Sequence, residues 1–183
     1  LEGEGGADTF LLTTVNGATV RGGDDADLVS ASALITSGVI YGNSGNDSFV
    51  ANANVTSTSI YGGAGNDSLT ISGAANTVTY EGGVGADSIQ VGGGINSSTL
   101  FGDNSSLTEG GADSIYIVGS ASGSYIYGNL GNDSISLDGG VIASSVYGGS
   151  GTDSVWIAAG ASTSALIDGG SGNDFLSVAG LSG

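Results

Sequence analysis

The sequence repeats itself from end to end with a period of about 20 residues. Nine aspartates mark the period, and each has an apolar side chain two positions later. They are Asp8, Asp27, Asp47, Asp67, Asp87, Asp113, Asp133, Asp153 and Asp174. The interval from Asp87 to Asp113 is 26 residues, and removing six residues restores 20. A fixed period of this length predicts one domain of stacked repeats over residues 1–183, with a loop insertion near residues 105–110.

Two segments of each repeat alternate apolar with polar residues, and a period of two is typical of half-buried β-strands. The first segment carries the column Phe10, Val29, Phe49, Leu69, Ile89, Ile115, Ile135, Val155 and Leu176. The second carries the column Val20, Ile40, Ile60, Tyr80, Leu100, Ile126, Val146 and Ile167. Between them lies a shorter apolar row, which predicts a tight corner: Ile35, Val55, Ala75, Ile95, Ala121, Val141 and Ala161.

Stacking follows from the size of the repeat. Two short strands cannot bury their own apolar face, so each repeat must pair with the next as parallel strands. The sequence therefore predicts an all-β fold, a parallel β-solenoid of about nine stacked rungs, where one rung is one repeat.

The composition excludes most catalytic chemistry. The chain has no His and no Cys, and its Lys and Arg together number one, so no imidazole base, thiolate or lysine nucleophile is available. We therefore expect no enzyme activity. The formal net charge of −17 repels phosphate, which disfavours nucleic acid as a partner, and no apolar run is long enough to predict membrane insertion. Cations are the natural partners of this chain.

The loop before each aspartate carries the most specific motif. Residues 62–70 read GGAGNDSLT, residues 82–90 GGVGADSIQ, residues 148–156 GGSGTDSVW and residues 169–177 GGSGNDFLS. These strings fit G-G-x-G-x-D-x-U-x and resemble the RTX, or haemolysin-type, calcium-binding repeat. The resemblance covers essentially the whole chain and implies a right-handed β-roll. It also implies an origin in a secreted bacterial protein, with type I secretion suspected.

The resemblance implies one Ca²⁺ between each two stacked loops, held by loop carbonyls and by the aspartates of both loops. Asp67 and Asp87 would share one ion, and Asp133 and Asp153 another. Nine loops provide at most eight such intervals, so up to about eight ions are expected. Besides the nine aspartates, the implied site residues are Gly42, Gly45, Gly62, Gly63, Gly65, Gly82, Gly83, Gly85, Gly128, Gly131, Gly148, Gly149, Gly151, Gly169, Gly170 and Gly172.

Elementary electrostatics supports a metal at these loops. Ca²⁺ is a hard ion that takes six to eight oxygen ligands, and glycine lets a loop turn its carbonyls inward. Carboxylates about 5 Å apart in water repel by roughly 0.8 kcal/mol per neighbouring pair, and the chain has almost no basic residues to offset this. A calcium-free chain is therefore expected to be strained or unfolded. The alternative is an aspartate row that only caps turns, without metal.

The sequence also departs from the family pattern. Typical RTX rolls repeat the nonapeptide back to back, whereas this chain has one motif per 20 residues, so only one edge is expected to bind calcium. The loops ending at Asp8 and Asp27 each lose a glycine, and the loop ending at Asp113 contains the insertion. These three are the weakest candidate sites. Two further loops have Asn43 and Asn129 in place of the second glycine.

One outward column is aromatic, with Tyr41, Tyr61, Phe101, Tyr127 and Tyr147 interrupted by Glu81. It fits a cross-rung ladder, and a platform for a cell-surface glycan is the alternative. Ice binding would need a regular threonine array, which the variable loop positions do not provide. Neither end of the sequence has a polar cap, which suggests either a fragment of a longer protein or subunits that stack end to end.

We interpret the chain as a calcium-stabilised extracellular structural module of a bacterial surface protein, such as an S-layer, adhesin or fibre. In this interpretation it folds and assembles when it binds calcium, and its partners are calcium and other copies or neighbouring repeats. The alternative from a different class is an accessory module that aids secretion and folding of an RTX enzyme or toxin.

Overall fold

The computed structural model describes residues 1–104, 110–158, 160 and 162–182, and every regular element among them is a β-strand. The strands form three parallel sheets of nine strands each, stacked as a solenoid of about eight turns. The first, called the loop sheet, consists of Glu2–Gly5, Thr19–Asp24, Val39–Ser44, Ser59–Ala64, Thr79–Val84, Thr99–Asp103, Tyr125–Leu130, Ser145–Gly151 and Leu166–Gly172.

The other two sheets complete each rung. The serine sheet consists of Thr9–Leu12, Leu28–Ala31, Ser48–Ala51, Ser68–Ile71, Ser88–Val91, Ser114–Ile117, Ser134–Leu137, Ser154–Ile157 and Phe175–Val178. The corner sheet consists of Val15–Asn16, Ile35–Thr36, Val55–Thr56, Ala75–Asn76, Ile95–Asn96, Ala121–Ser122, Val141–Ile142, Ser162–Thr163 and Leu181–Ser182. The prediction of an all-β parallel solenoid is confirmed.

The core forms because equivalent residues of successive rungs lie in register. Ile60, for example, pairs with Ile40 on one side and Tyr80 on the other. Successive side chains of a strand point to opposite faces, so each predicted apolar column lies inside. Side chains of the middle rungs, such as Ile71, Ile117 and Leu137, are completely buried. In the last rung Leu176 is 42% exposed, since only one neighbouring rung covers it.

The predicted corner contains a short sheet that the sequence did not predict. The apolar row forms the corner sheet, whose two-residue strands pair in parallel. Its members still point inward, and Val55, Ala75 and Ile95 have no exposed surface. The row member Ala161 lies outside the described residues, as do residues 105–109 of the predicted insertion. On either side of that insertion the register is intact, with Gly83 opposite Asp103 and Ser88 opposite Ser114.

Buried hydroxyls satisfy backbone groups after the corner strands. The Ser98 side chain accepts from Val78 N at 3.0 Å and donates to Asn96 O at 3.0 Å. Ser124 repeats the pattern one rung later, where its hydroxyl accepts from Ser98 N at 3.1 Å. Buried backbone donors need such partners, so these hydroxyls allow the chain to leave the sheet inside the protein. In the part of the chain that the structure describes, no helix is long and apolar enough to cross a membrane.

A residue in the left-handed backbone region follows each of the first eight strands of the corner sheet. Gly17 and Gly123 occupy this position in two rungs, and Thr77 occupies it with a φ of 55°. A β-branched residue is strained there because its side chain crowds the backbone. Thr77 is exposed, and no described contact of its side chain compensates for this strain.

We expect Thr77→Gly to raise the free energy of unfolding in saturating calcium by about 0.5–1 kcal/mol, because the relief of strain exceeds the entropy cost of glycine. The control is Thr79→Gly, in a regular strand, which should lower it by about 1 kcal/mol. Guanidinium chloride unfolding followed by circular dichroism measures both. Equal destabilisation by the two substitutions would contradict the assignment of strain to Thr77.

Candidate metal centre

The candidate site lies at the edge where each strand of the loop sheet runs into its glycines. Gly63 and Gly65 have φ values of 117° and 132°, which side chains rarely adopt. A Cβ at Gly63 would also overlap the carbonyl oxygen of Asn43, and a Cβ at Gly65 that of Gly45. Backbone carbonyls of one rung therefore lie directly against the glycines of the next, as the glycine pattern predicted.

Each aspartate joins its rung to the preceding one through one carboxylate oxygen. Asp47 N donates to Asp67 Oδ1 at 2.7 Å, and Asp67 N donates to Asp87 Oδ1 at 2.7 Å. The same bond spans the insertion, where Asp87 N donates to Asp113 Oδ1 at 2.7 Å. All nine aspartates take part, the row ending with Asp153 N and Asp174 Oδ1 at 3.0 Å. We call this row the aspartate ladder.

The second carboxylate oxygen of the ladder is buried and lacks a hydrogen-bond partner among the described residues. This holds for the Oδ2 atoms of Asp8, Asp27, Asp47, Asp67, Asp87, Asp113, Asp133 and Asp153. Except for Asp8, these residues are almost inaccessible; Asp67, for example, is 2% exposed. An unpaired buried carboxylate oxygen is costly, and a whole row of them calls for cations.

The unpaired oxygens face a space that glycine keeps open. A Cβ built on Gly62 would overlap both Asp67 Oδ2 and the carbonyl oxygen of Gly82 in the next rung. The same two kinds of oxygen meet at every first glycine through the middle of the chain: Gly22, Gly42, Gly62, Gly82, Gly102, Gly128 and Gly148. Oxygen atoms alone, one from a carboxylate and others from the backbone, are the donor set of Ca²⁺. The residues therefore fit calcium.

The electrostatics of the ladder also favours a cation. Burial raises the pKa of Asp67 to about 6, and the backbone N–H of Asp47 only partly opposes this. Burial raises the pKa of Asp87 to about 7 and that of Asp113 to about 8, with neighbouring carboxylates adding to the effect. These three carboxylates are therefore harder to ionise than a free aspartate, because nothing positive among the described residues offsets their charge.

The predicted sharing of one ion by two carboxylates remains a prediction. The structure places the Oδ2 atoms from Asp8 to Asp153 beside a carbonyl of the following rung, and the described residues contain no group of three or more acidic, His or Cys side chains that could hold a metal. Any ion here would therefore depend on backbone carbonyls for much of its coordination. The end members Asp8 and Asp174 are more exposed than the rest.

The irregular loops keep the same backbone shape. Asn43 and Asn129 replace glycine with φ values of 79° and 80°, in the left-handed region that asparagine tolerates. Glu4 and Asp25 replace the missing glycines of the first two loops with φ values of 77° and 73°. The substitutions therefore leave the course of the loop unchanged.

Sequence reasoning missed Asp103, which has no exposed surface and stands in register with Gly83. Its Oδ1 accepts from Gly111 N at 3.0 Å and its Oδ2 from Leu130 N at 3.1 Å. Burial raises its pKa. The sequence signal for Asp103 was the pair Gly102-Asp103, where most other loops have Gly-Gly. Through these hydrogen bonds Asp103 anchors the chain on either side of the insertion.

Comparison with protein families agrees with this geometry. Residues 39–54, 59–78, 110–141 and 166–179 match the RTX calcium-binding nonapeptide repeat, in four copies. These segments are RTX calcium-binding repeats. Comparisons with curated proteins and with solved structures find no match.

The presence of RTX repeats supports calcium as the ion of these loops, and RTX repeats form a structural module that is not typically catalytic. RTX repeats also occur in secreted proteins, which is consistent with an extracellular location. The matched segments contain the ladder members Asp47, Asp67, Asp113, Asp133 and Asp174. Asp87 and Asp153 lie outside those segments but have the same unpaired oxygen and the same glycine cavity.

The raised pKa values predict how pH acts on the calcium-free RTX chain. In the unfolded chain aspartate has a pKa of about 3.9, so the folded ladder binds more protons than the unfolded chain between about pH 4 and pH 8. Stability of the calcium-free fold is therefore fully present below about pH 4 and is lost as pH rises toward 8. In EGTA we expect a larger β signal at pH 5 than at pH 9 by far-UV circular dichroism.

Calcium should reverse this dependence, because protons compete with the ion for the same oxygens. A β signal in EGTA that is independent of pH, or that falls on acidification, would contradict the claim that ionised ladder carboxylates destabilise the calcium-free fold.

Proposed function

We propose that this chain is a calcium-gated extracellular structural module of a bacterial surface protein, such as an S-layer, adhesin or fibre. The observation that carries the proposal is the row of buried, unpaired Asp Oδ2 atoms, one per rung through most of the solenoid. A stack of like charges with no internal cation is unstable until external cations neutralise it. Calcium then joins every rung to the next and becomes part of the fold.

The location of the protein follows from the same requirement. Where calcium is scarce, ladder repulsion keeps the chain unfolded and therefore open to export. Outside the cell, calcium at millimolar levels is enough for weak extracellular modules. The net charge of −17 assists this switch, since Arg21 is the only basic side chain. Export by type I secretion is part of the proposal and rests on the presence of RTX repeats.

Assembly is the second part of the proposal. The first and last described rungs expose apolar side chains whose equivalents are buried elsewhere: Leu176 is 42% exposed although its partner Val155 is buried, and Phe10 is only partly buried although its partner Val29 is buried. Ala165, Leu166, Ile167, Leu176 and Val178 line an open apolar groove at the last rung. Either a neighbouring repeat of the same protein or a second copy would bury these surfaces, because open parallel edges pair readily.

The test of folding and assembly is a calcium titration followed by far-UV circular dichroism and light scattering, and reversed with EGTA. We expect a coil-to-β transition at neutral pH with rising scatter. The variant Asp67→Asn should lose about 1.4 kcal/mol or more of unfolding free energy in calcium, a tenfold change, because a charged ligand is removed. In EGTA the same substitution should be neutral or stabilising, since it relieves repulsion.

The matched control is Glu81→Gln, which removes the same charge from the outer face, away from the ladder, and should change neither response. Equal effects of Asp67→Asn with and without calcium would mean that the ladder only caps turns. Folding without rising scatter would instead support the accessory module of a secreted RTX enzyme or toxin.

A second candidate function, glycan binding, is favoured by the aromatic column on the outer face of the loop sheet. Tyr41 and Tyr61 stack with ring centroids 5.1 Å apart, and Tyr127 and Tyr147 stack at 4.9 Å. Glu81 interrupts the column, and beside it lies a groove of about 270 Å³ that Tyr41, Tyr61 and Asn104 help to line. Aromatic rings beside polar groups suit the faces and hydroxyls of sugars.

The glycan candidate predicts that dextran or mannan in a calcium-containing gel retards the wild-type protein and that Tyr61→Ala and Tyr127→Ala abolish the retardation while leaving the calcium transition intact. Trp156→Ala, which removes an exposed aromatic side chain from the serine sheet, should have no effect. Unretarded wild-type protein would leave the column as a ladder that only stabilises the sheet.

A further inference from the structure

Tyr80 is the one polar side chain in the inward column of the loop sheet, where every other member is Val, Ile or Leu. It lies in register between Ile60 and Leu100 and has no exposed surface. Its ring fills the place of an aliphatic side chain, but its hydroxyl brings a hydrogen-bond donor and acceptor into the core. Packing alone does not call for such a group here.

The hydroxyl of Tyr80 has no hydrogen-bond partner among the described residues. It shares this state with Asp67 Oδ2 and Asp87 Oδ2. Buried polar groups are almost always paired, so the hydroxyl of Tyr80 requires an explanation of its own beside the unpaired row of the ladder.

Tyr80 points toward the ladder because of its place in the strand. Tyr80 and Gly82 are two residues apart and both buried, so they lie on the same inner face of the strand Thr79–Val84. A Cβ on Gly82 would overlap Asp87 Oδ2, so this oxygen packs directly against Gly82. The phenol therefore occupies the core position next to that oxygen. Burial first, and then the charges of Asp87 and Asp67, raise the pKa of Tyr80 well above its ordinary value, so the hydroxyl keeps its proton.

We propose that Tyr80 is a positioning residue of the aspartate ladder. Its hydroxyl, which has no hydrogen-bond partner in the structure, donates its single hydrogen bond to the Asp87 carboxylate when a divalent cation binds on the loop side, and so orients that carboxylate toward the cation. A phenol donor satisfies the carboxylate from the core, where an ion cannot enter, while the ion takes the oxygen from the loop. The inference rests on the proposed calcium function.

The test compares Tyr80→Phe, which removes one oxygen and keeps the ring, with Tyr61→Phe, which makes the same change on the outer face. Unfolding by guanidinium chloride is measured in saturating CaCl₂. We expect Tyr80→Phe to raise the unfolding equilibrium constant about tenfold, because a hydrogen bond to a charged group is lost. Tyr61→Phe should leave it unchanged. Tyr80→Leu, which copies the residue type of the other rungs, should lose the same calcium-linked stability.

The direction of the change decides the question. If the hydroxyl were only an unpaired core group, its removal would make the protein more stable, and the unfolding constant would fall. Near-UV circular dichroism provides a second readout: the tyrosine signal should change on calcium binding in the wild type and in Tyr61→Phe, but much less in Tyr80→Phe. A wild-type protein whose stability is independent of calcium would overturn the proposed function and this inference together. A calcium-dependent wild type whose Tyr80→Phe variant is equally or more stable overturns this inference alone.

Discussion

The repulsion within the aspartate ladder is the interaction on which the rest of this structure depends. Parallel pairing of rungs places equivalent residues about 4.8 Å apart, and the same pairing that stacks isoleucine on isoleucine also stacks carboxylate on carboxylate. This register stabilises the apolar columns, whereas it destabilises the ladder through repulsion between carboxylates. Hydrogen bonds from backbone N–H groups of the preceding rung to the Oδ1 atoms of the ladder offset part of this repulsion. The Oδ2 atoms of the ladder have no hydrogen-bond partner among the described residues, so we expect an external cation to complete the fold.

The two carboxylate oxygens of each ladder aspartate make different contacts, which explains why the loop before each aspartate begins with glycine so regularly. The Oδ1 atom needs the register of the serine sheet, and the Oδ2 atom needs an open space beside the first glycine of its own loop. A side chain at Gly62 would fill that space, whereas an asparagine at the second position, such as Asn43, preserves the loop. Metal binding thus constrains the first glycine more strictly than the second. The opposite edge of the rung carries no such charge, and buried serine hydroxyls stabilise it instead.

Much of this architecture could be predicted from the sequence, because its two strongest signals are periodic. The columns through Ile60 and Leu69 predicted the two main sheets, and the aspartate interval predicted the ladder. The corner sheet could not be predicted, since two-residue strands such as Val55–Thr56 are too short to show alternation. Asp103 was hidden by the adjoining insertion. The sequence could not predict that the hydroxyl of Tyr80 lacks a hydrogen-bond partner, because this depends on which atoms come into contact in the core.

The central claim is that cations occupy the spaces between rungs and hold them together. The most direct measurement is the calcium content of the folded chain, determined by inductively coupled plasma mass spectrometry after exhaustive gel filtration in calcium-free buffer, with circular dichroism of the same sample. The account predicts several tightly held calcium ions per chain, with an upper limit of about eight, one for each interval between neighbouring ladder aspartates. A chain that keeps its full β signal while holding less than one calcium ion would contradict it.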